Sequence, residues 1–322
     1  MPTIKTVLFN RKGRTAAGLA LLLAAFYLPN WRTASLQAEE DAESLVVIQL
    51  ADRTIRAGLA GEKTPRTVFP AVVGRPKSTG VMIGMGQKST YIGDEALARA
   101  STLRLNYPIQ NGSVTNWDDV EKILHYVFYT KLRVSPENAS VLVLQSPLNS
   151  RSNREKLTQI LFETFNVRNF FVSHDTVLAL YAAGQTSGLT AAFSENYTLI
   201  NPVYEGYLLM NASQTLSPGA DVSQAILKSI TQADKRSQPA LFAGIVLVGA
   251  AVPAGIEQKI RADLKGSIPA GSQLVVERAS DPVLAAWRGG SILANLSTFA
   301  DMWITKDEYD EAGASIVHRK CN

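Results

Sequence analysis

Cysteine occurs once in 322 residues, at Cys321. No internal disulfide is available, and no cysteine-based metal site can be assembled from one chain. Histidine occurs three times, at His125, His174 and His318, too far apart in sequence for a local ligand pair. Each reads as a surface or structural histidine. Acidic residues are missing from the first 38 positions, where Lys5, Arg11, Lys12, Arg14 and Arg32 stand alone. Setting those aside leaves 27 basic against 28 acidic residues, so the formal charge of +4 belongs to the N-terminal segment and the remainder carries −1. Overall charge therefore gives no support to a nucleic-acid partner. A hydrophobic content of 46% with 19% charged residues excludes a disordered chain. The length supports two domains of ordinary size.

One long uncharged run is present, residues 15–31 (TAAGLALLLAAFYLPNW). Four basic residues precede it, and Glu39, Glu40, Asp41 and Glu43 follow. The run lies at the short end of what spans a bilayer. Leu19, Leu21, Leu22, Leu23, Phe26 and Leu28 supply its apolar side chains, and Tyr27 with Trp31 suits the far interface. A cleaved signal peptide would want small residues before the cut, and Leu36-Gln37-Ala38 is a poor match. Residues 1–45 are expected to hold an uncleaved single-span anchor, with the basic flank on the matrix or cytosolic side. The Arg-rich, acid-free start fits a mitochondrial address, which would put the body in the intermembrane space. The competing reading is a soluble apolar helix packed on a partner. A secretory route would expose five Asn-X-Ser/Thr sequons, at Asn111, Asn138, Asn196, Asn211 and Asn295. Asn295 lies in a helix-like apolar stretch, a bad place for a glycan.

The body is laid out from residues 46–77 (VVIQLADRTIRAGLAGEKTPRTVFPAVVGRPK). Val46-Val47-Ile48 is a β-branched run, Ala51-Asp52-Arg53 interrupts it as a turn would, and apolar residues resume at Ile55, so a hairpin is the simplest reading. Beyond a glycine-spaced segment at 80–88, Asn116 and Asp119 mark a helix start, with Val120, Ile123, Leu124, Val127 and Phe128 at helical spacing. Strands follow at 140–144, 169–173 and 273–277. Helices are expected from Asn153, from Thr176 to Ala183 and after Pro253. Thr305 with Glu308 forms a capping box. Strands alternating with helices argue for a mixed α/β sheet.

Ala57-Gly58-Leu59-Ala60-Gly61, Pro65-Arg66-Thr67-Val68-Phe69-Pro70, Tyr204-Glu205-Gly206-Tyr207 and the stretch from Trp287 to Cys321 resemble actin. The resemblance covers nearly everything after residue 45. It implies an actin-like α/β fold of the ribonuclease-H-like ATPase type. Subdomain 1 would comprise 46–182 and 286–322, with 71–107 as subdomain 2. Subdomain 3 would be 183–285. Residues 208–220 stand where actin carries its whole fourth subdomain, so that lobe is expected to be deleted.

The resemblance also locates a nucleotide site and shows it altered. The aspartate that holds the metal through water falls on Gln49, the phosphate-loop glycines on Ala51 and Arg53, the phosphate-binding serine on Asp52 and the phosphate lysine on Arg56. The second phosphate loop reads Ala192-Phe193-Ser194-Glu195-Asn196. The water-orienting glutamine falls on Asp175, a nearby histidine on Leu199, and a lysine against the base on Val283. The adenosine-cupping turn reads Gly249-Ala250-Ala251-Val252. Phosphate cradles need free amides close to the oxygens, which side chains at those glycines obstruct. Asp52 is expected to add like charge and Phe193 bulk. Asp175 and Glu195 are carboxylates that a hard cation could use. The favoured expectation is that Arg53 or Arg56 pairs with Asp175 or Glu195 and plugs the cleft, because an uncompensated buried carboxylate is costly. No cofactor, metal or catalytic residue is then expected, and filament formation is not.

The family's partner groove falls on Tyr181, Leu293, Leu296, Thr298 and Met302, all of the family's type. They read either as core or as a seat for an amphipathic partner helix. The function expected is a non-catalytic structural or accessory subunit of a membrane protein assembly, with a mitochondrial inner-membrane complex (respiratory or ATP synthase) as the specific reading. Its partners would be other protein subunits and, through residues 15–31, the lipid bilayer. The alternative is a membrane-tethered ATPase that binds ATP with magnesium and polymerises.

Overall fold

The computed structural model describes residues 43–77, 88–269 and 271–321. The apolar run at 15–31 and nearly all of the glycine-spaced segment at 80–88 lie outside the described residues. Among those described, no helix is long and apolar enough to cross a membrane.

Strand β1 (Ser44–Leu50) turns back into β2 (Thr54–Leu59), with Leu50 opposite Ile55, so the hairpin turn is Ala51-Asp52-Arg53. β3 (Thr67–Pro70) adds to β2. The chain then leaves the sheet. β4 (Val73–Pro76), β5 (Tyr91–Ile92) and β6 (Leu103–Asn106) make a small sheet of their own, and β7 (Ile109–Gln110) pairs with β8 (Ser113–Val114). Helix Trp117–His125 brings it back. Asn116 caps that helix by accepting from the Asp119 amide at 3.0 Å, and π-helical turns carry it on to Leu132. β9 (Ala139–Gln145) runs parallel to β1, and β10 (Asn169–His174) parallel to β9, with helix Arg151–Gln159 between them. β9 is buried along its whole length, as the uninterrupted apolar run Val141-Leu142-Val143-Leu144 requires of a central parallel strand.

Helix Asp175–Ala182 leads to a second sheet. β11 (Gly188–Phe193) and β12 (Thr198–Tyr204) form its hairpin, and β13 (Tyr207–Leu208) with β14 (Gln214–Leu216) completes the outer edge. After helices Val222–Gln232 and Gln238–Ala243, β15 (Ile245–Gly249) runs parallel to β11. Helix Ile256–Leu264 then connects to β16 (Val276–Arg278), parallel to β15. Helix Ala285–Ala294 returns to the first half, where β17 (Ile304–Thr305) joins the free edge of β10.

Both sheets therefore follow one plan. A hairpin, a third strand and two parallel crossovers give the spatial order third, second, first, fourth, fifth. The halves differ most at the joint between the third strand and the first crossover helix. The first half places β4 to β8 there; the second half passes from β14 to helix Val222–Gln232 through residues 217–221 alone.

Each sheet has its own core. Ile48, Leu142, Phe162, Phe170 and Trp287 belong to the first, and Leu189, Ile226, Phe242 and Leu247 to the second. Val177, Leu180, Val246 and Ala285 pack between them. Helices Asp175–Ala182 and Ala285–Ala294 cross so closely that a Cβ on Gly289 would fall 1.7 Å from the Leu178 carbonyl oxygen. Only glycine permits that approach.

Several element limits differ from the sequence reading. Ser150 accepts from the Asn153 amide and starts its helix two residues before Asn153. β10 runs through His174, so the next helix begins at Asp175. The strand at 273–277 shortens to Val276–Arg278. Asn295 is the exposed residue that ends helix Ala285–Ala294. The capping box is present: Thr305 Oγ1 accepts from the Glu308 amide at 3.2 Å, and Glu308 Oε2 from the Thr305 amide at 3.0 Å.

Candidate functional site

The tips of the two equivalent hairpins meet. In the first, the Ala51 amide donates to the Thr54 carbonyl at 3.3 Å; in the second, the Ser194 amide donates to the Tyr197 carbonyl at 2.9 Å. Behind them β15 ends at Gly249, whose amide donates to Pro282 O at 2.8 Å, and the Ala251 amide donates to Phe193 O at 3.3 Å. Gly249 has φ +104°, and a Cβ there would lie 2.2 Å from Phe193 O. A cavity of about 250 Å³ remains between the tips, lined by Gln49, Asp52, Arg56, Asp175, Tyr197 and Val283 among others. That is below the roughly 300–1,000 Å³ of ordinary ligand pockets.

Gln49, Ala51, Asp52, Arg53, Arg56, Asp175, Ala192, Glu195 and Asn196, the positions that the resemblance assigned to the phosphate end, all line this cavity. One expected pair forms, Arg53 beside Glu195, and the other contacts differ from the expectation. Asp52 does not stand free: its Oδ1 accepts from the Gly112 amide at 2.7 Å, tying the first hairpin tip to the β7–β8 turn. Phe193 points its ring into the second core, where it is 4% exposed, and offers the cleft mainly its carbonyl edge. Leu199 is likewise buried. Val283 is 39% exposed, at the mouth.

The arginine plug takes a different form. Arg53 comes within 3.9 Å of Glu195 across the cleft, but the two side chains are 57% and 70% exposed, so the pair contributes little. Arg53 also lies 5.0 Å above the Tyr107 ring. Arg56 is buried and donates to Gln49 Oε1 at 3.3 Å; burial lowers its pKa, and the charge of Asp281 partly offsets this. Neither arginine reaches Asp175. Its Oδ1 is shut from solvent with no hydrogen-bond partner. Burial pushes its pKa up to about 7, against the pull of the Thr176 amide and with a push from the charge of Asp52. Burial thus favours the protonated form, the outlet that physics offers when no counter-ion arrives.

Sequence reasoning missed Tyr197, Gly112 and Ser146. Tyr197 lines the cavity, and its pKa is raised by burial and then by the charge of Asp52. Nothing in its local sequence separates it from any aromatic at the start of a strand. Among the described residues, no group of three or more His, Cys, Asp or Glu could hold a metal ion.

The groove residues lie on a different surface. Leu296 is 48% exposed and Met302 46%; Thr298 is exposed, and Tyr181 and Leu293 are half-buried. Ile292 adds to the exposed apolar side chains beside them. Gly206, in the turn before β13, lies so near Tyr181 that a Cβ there would fall 2.6 Å from its Oη.

Two sheets of one plan, with a cleft where their first hairpins meet, define a duplicated α/β protein. The chain matches the family model described as actin over residues 40–222 and 218–322, and it belongs to the actin family.

Proposed function

We propose that this is a non-catalytic member of the actin family, a structural or accessory subunit of a membrane protein assembly. The observation that carries the reading is Asp52. It stands in the first hairpin tip with its carboxylate on the Gly112 amide, facing a second carboxylate at Asp175. A nucleotide phosphate brought there meets like charge where the chain would have to supply donors. The amides of Ala51, Ser194, Gly249 and Ala251 are already engaged with backbone carbonyls. The donor set does not fit ATP with magnesium, and no chemical step is assigned to the cleft.

The fourth subdomain is inferred to be deleted. Residues 217–221 alone occupy the joint where the first half carries β4 to β8, and the two matched segments of the family model meet at 218–222. The apolar groove from Tyr181 to Met302 supports docking of a partner helix. Membrane attachment through residues 15–31, and a mitochondrial inner-membrane location with the body in the intermembrane space, rest on the charge pattern of the N-terminal segment.

The experiment is purification of the full-length chain from its own source in mild detergent, with the nucleotide content and the co-purifying subunits measured together. The proposal expects a stoichiometric membrane complex and no nucleotide assigned to this subunit. A free or filament-forming protein carrying bound ADP or ATP would overturn it.

A further inference from the structure

The cleft holds two carboxylates that no cation of the chain answers. Asp52 and Asp175 both line it, and the charge of Asp52 is felt at Asp175 and at Tyr197. Among the described residues, neither carboxylate belongs to an ion pair. The two arginines of the same lining are engaged elsewhere. Arg53 approaches Glu195 at 3.9 Å and lies over the Tyr107 ring, and Arg56 donates to Gln49 Oε1 in the field of Asp281. Carboxylates left this way are costly until a proton or a cation arrives.

The same wall carries buried polar atoms with no partner. Thr176 is 2% exposed and lines the cavity, and its Oγ1 makes no hydrogen bond. Asp175 Oδ1, on the preceding residue, makes none either. Buried polar groups in folded proteins are nearly always satisfied, so two bare neighbours in one wall mark a place that a bound group completes.

The rest of the lining selects the kind of cation. Among the described residues, no group of three or more His, Cys, Asp or Glu could hold a metal ion. A guanidinium fork wants both oxygens of one carboxylate. Asp52 has Oδ1 committed to the Gly112 amide, and Asp175 Oδ1 is shut from solvent. A compact ammonium needs only one oxygen from each. Val248, Pro282, Val283 and Ala286 line the same cavity and offer apolar surface to a hydrocarbon chain. The volume of about 250 Å³ takes a chain of a few carbons.

We propose that the cleft binds a small primary alkylammonium ion, its charged end at Asp52 and Asp175 and its chain against Val248, Pro282 and Val283. This rests on the reading that the cleft holds no nucleotide. The test is the thermal unfolding midpoint of the full-length chain at pH 7.5 in n-butylammonium, tetramethylammonium or sodium chloride at equal ionic strength. It is run on the wild type, on Asp175→Asn and on Asp52→Asn, which keeps an oxygen for the Gly112 amide. A saturable rise on the order of 4 °C is expected with butylammonium alone in the wild type, and none in either variant. No rise in the wild type overturns the proposal, and is the result expected if a proton and water satisfy the wall. An equal rise with tetramethylammonium, which has no N–H to donate, overturns it as a general salt response, and so does an equal rise in both variants. Magnesium-ATP is run beside the amines. A rise with ATP overturns the nucleotide-free reading together with this proposal, whereas no rise with either ligand overturns only the amine.

Discussion

The two halves share a sheet plan but not a joint. The first detours through β4 to β8 between its third strand and its first crossover helix; the second crosses in residues 217–221. The detour changes the hairpin tip beside it. The β7–β8 turn folds back to give Asp52 the Gly112 amide at 2.7 Å. In the second tip Glu195 and Asn196 are exposed, Glu195 comes within 3.9 Å of Arg53 across the cleft, and Tyr197 faces Asp52. Duplicated sheets thus hold two hairpin tips in one place, and the local chemistry of each tip is set by what the chain inserts beyond its third strand.

The largest effect is expected where the halves are joined. Gly289→Ala places a methyl group against the Leu178 carbonyl, and forcing the two helices apart should cost about 3 kcal/mol, read from urea midpoints. A neutral substitution would mean that the helices separate freely. The cleft turns should then respond unequally. Gly249→Ala, at φ +104° with its Cβ 2.2 Å from Phe193 O, should cost about 2–3 kcal/mol. Ala51→Gly, in the tip of the other half, should cost under about 1 kcal/mol. Equal costs would break the contrast.

A third effect depends on pH, through adjacent residues that pull in opposite directions. Burial holds Asp175 at about 7, above an unfolded carboxylate, so its contribution to stability falls as pH rises from about 4 to 7. Burial, and then the charge of Arg154, hold His174 at about 3, below an unfolded imidazole. Its contribution is present above about 6.5 and is lost as pH falls toward 3. Between pH 4 and 6.5 the two slopes offset. Asp175→Asn should leave a stability that rises with pH in that window, and His174→Gln one that falls, each by about 1–2 kcal/mol. Parallel slopes in the two variants would contradict the assignment. The smallest effect is Arg53→Ala, under about 0.5 kcal/mol, because its pair with Glu195 is exposed.

Much of this was legible in the residues. The β-branched run before Ala51-Asp52-Arg53 marked the first hairpin, and Asn116 and Thr305 marked helix starts through capping chemistry that acts over three residues. Local signals of that kind survive folding. The turn positions that line the cleft were also legible, because the resemblance is dense around them. What failed was long-range pairing. Arg53 did approach Glu195, but Arg56 took Gln49 as its partner, Asp52 took an amide sixty residues away, and no arginine reached Asp175, whose Oδ1 has no partner. Phe193 went to the core because the alternation of a strand decides which way its ring points.

The central claim is that the cleft does not hold a nucleotide. Titration of the nucleotide-free protein with ATP and magnesium, followed by calorimetry at pH 7.5, tests it most directly. No saturable heat up to millimolar ATP is the result predicted. A magnesium-dependent isotherm in the micromolar range, abolished by a substitution at Asp175, would contradict it.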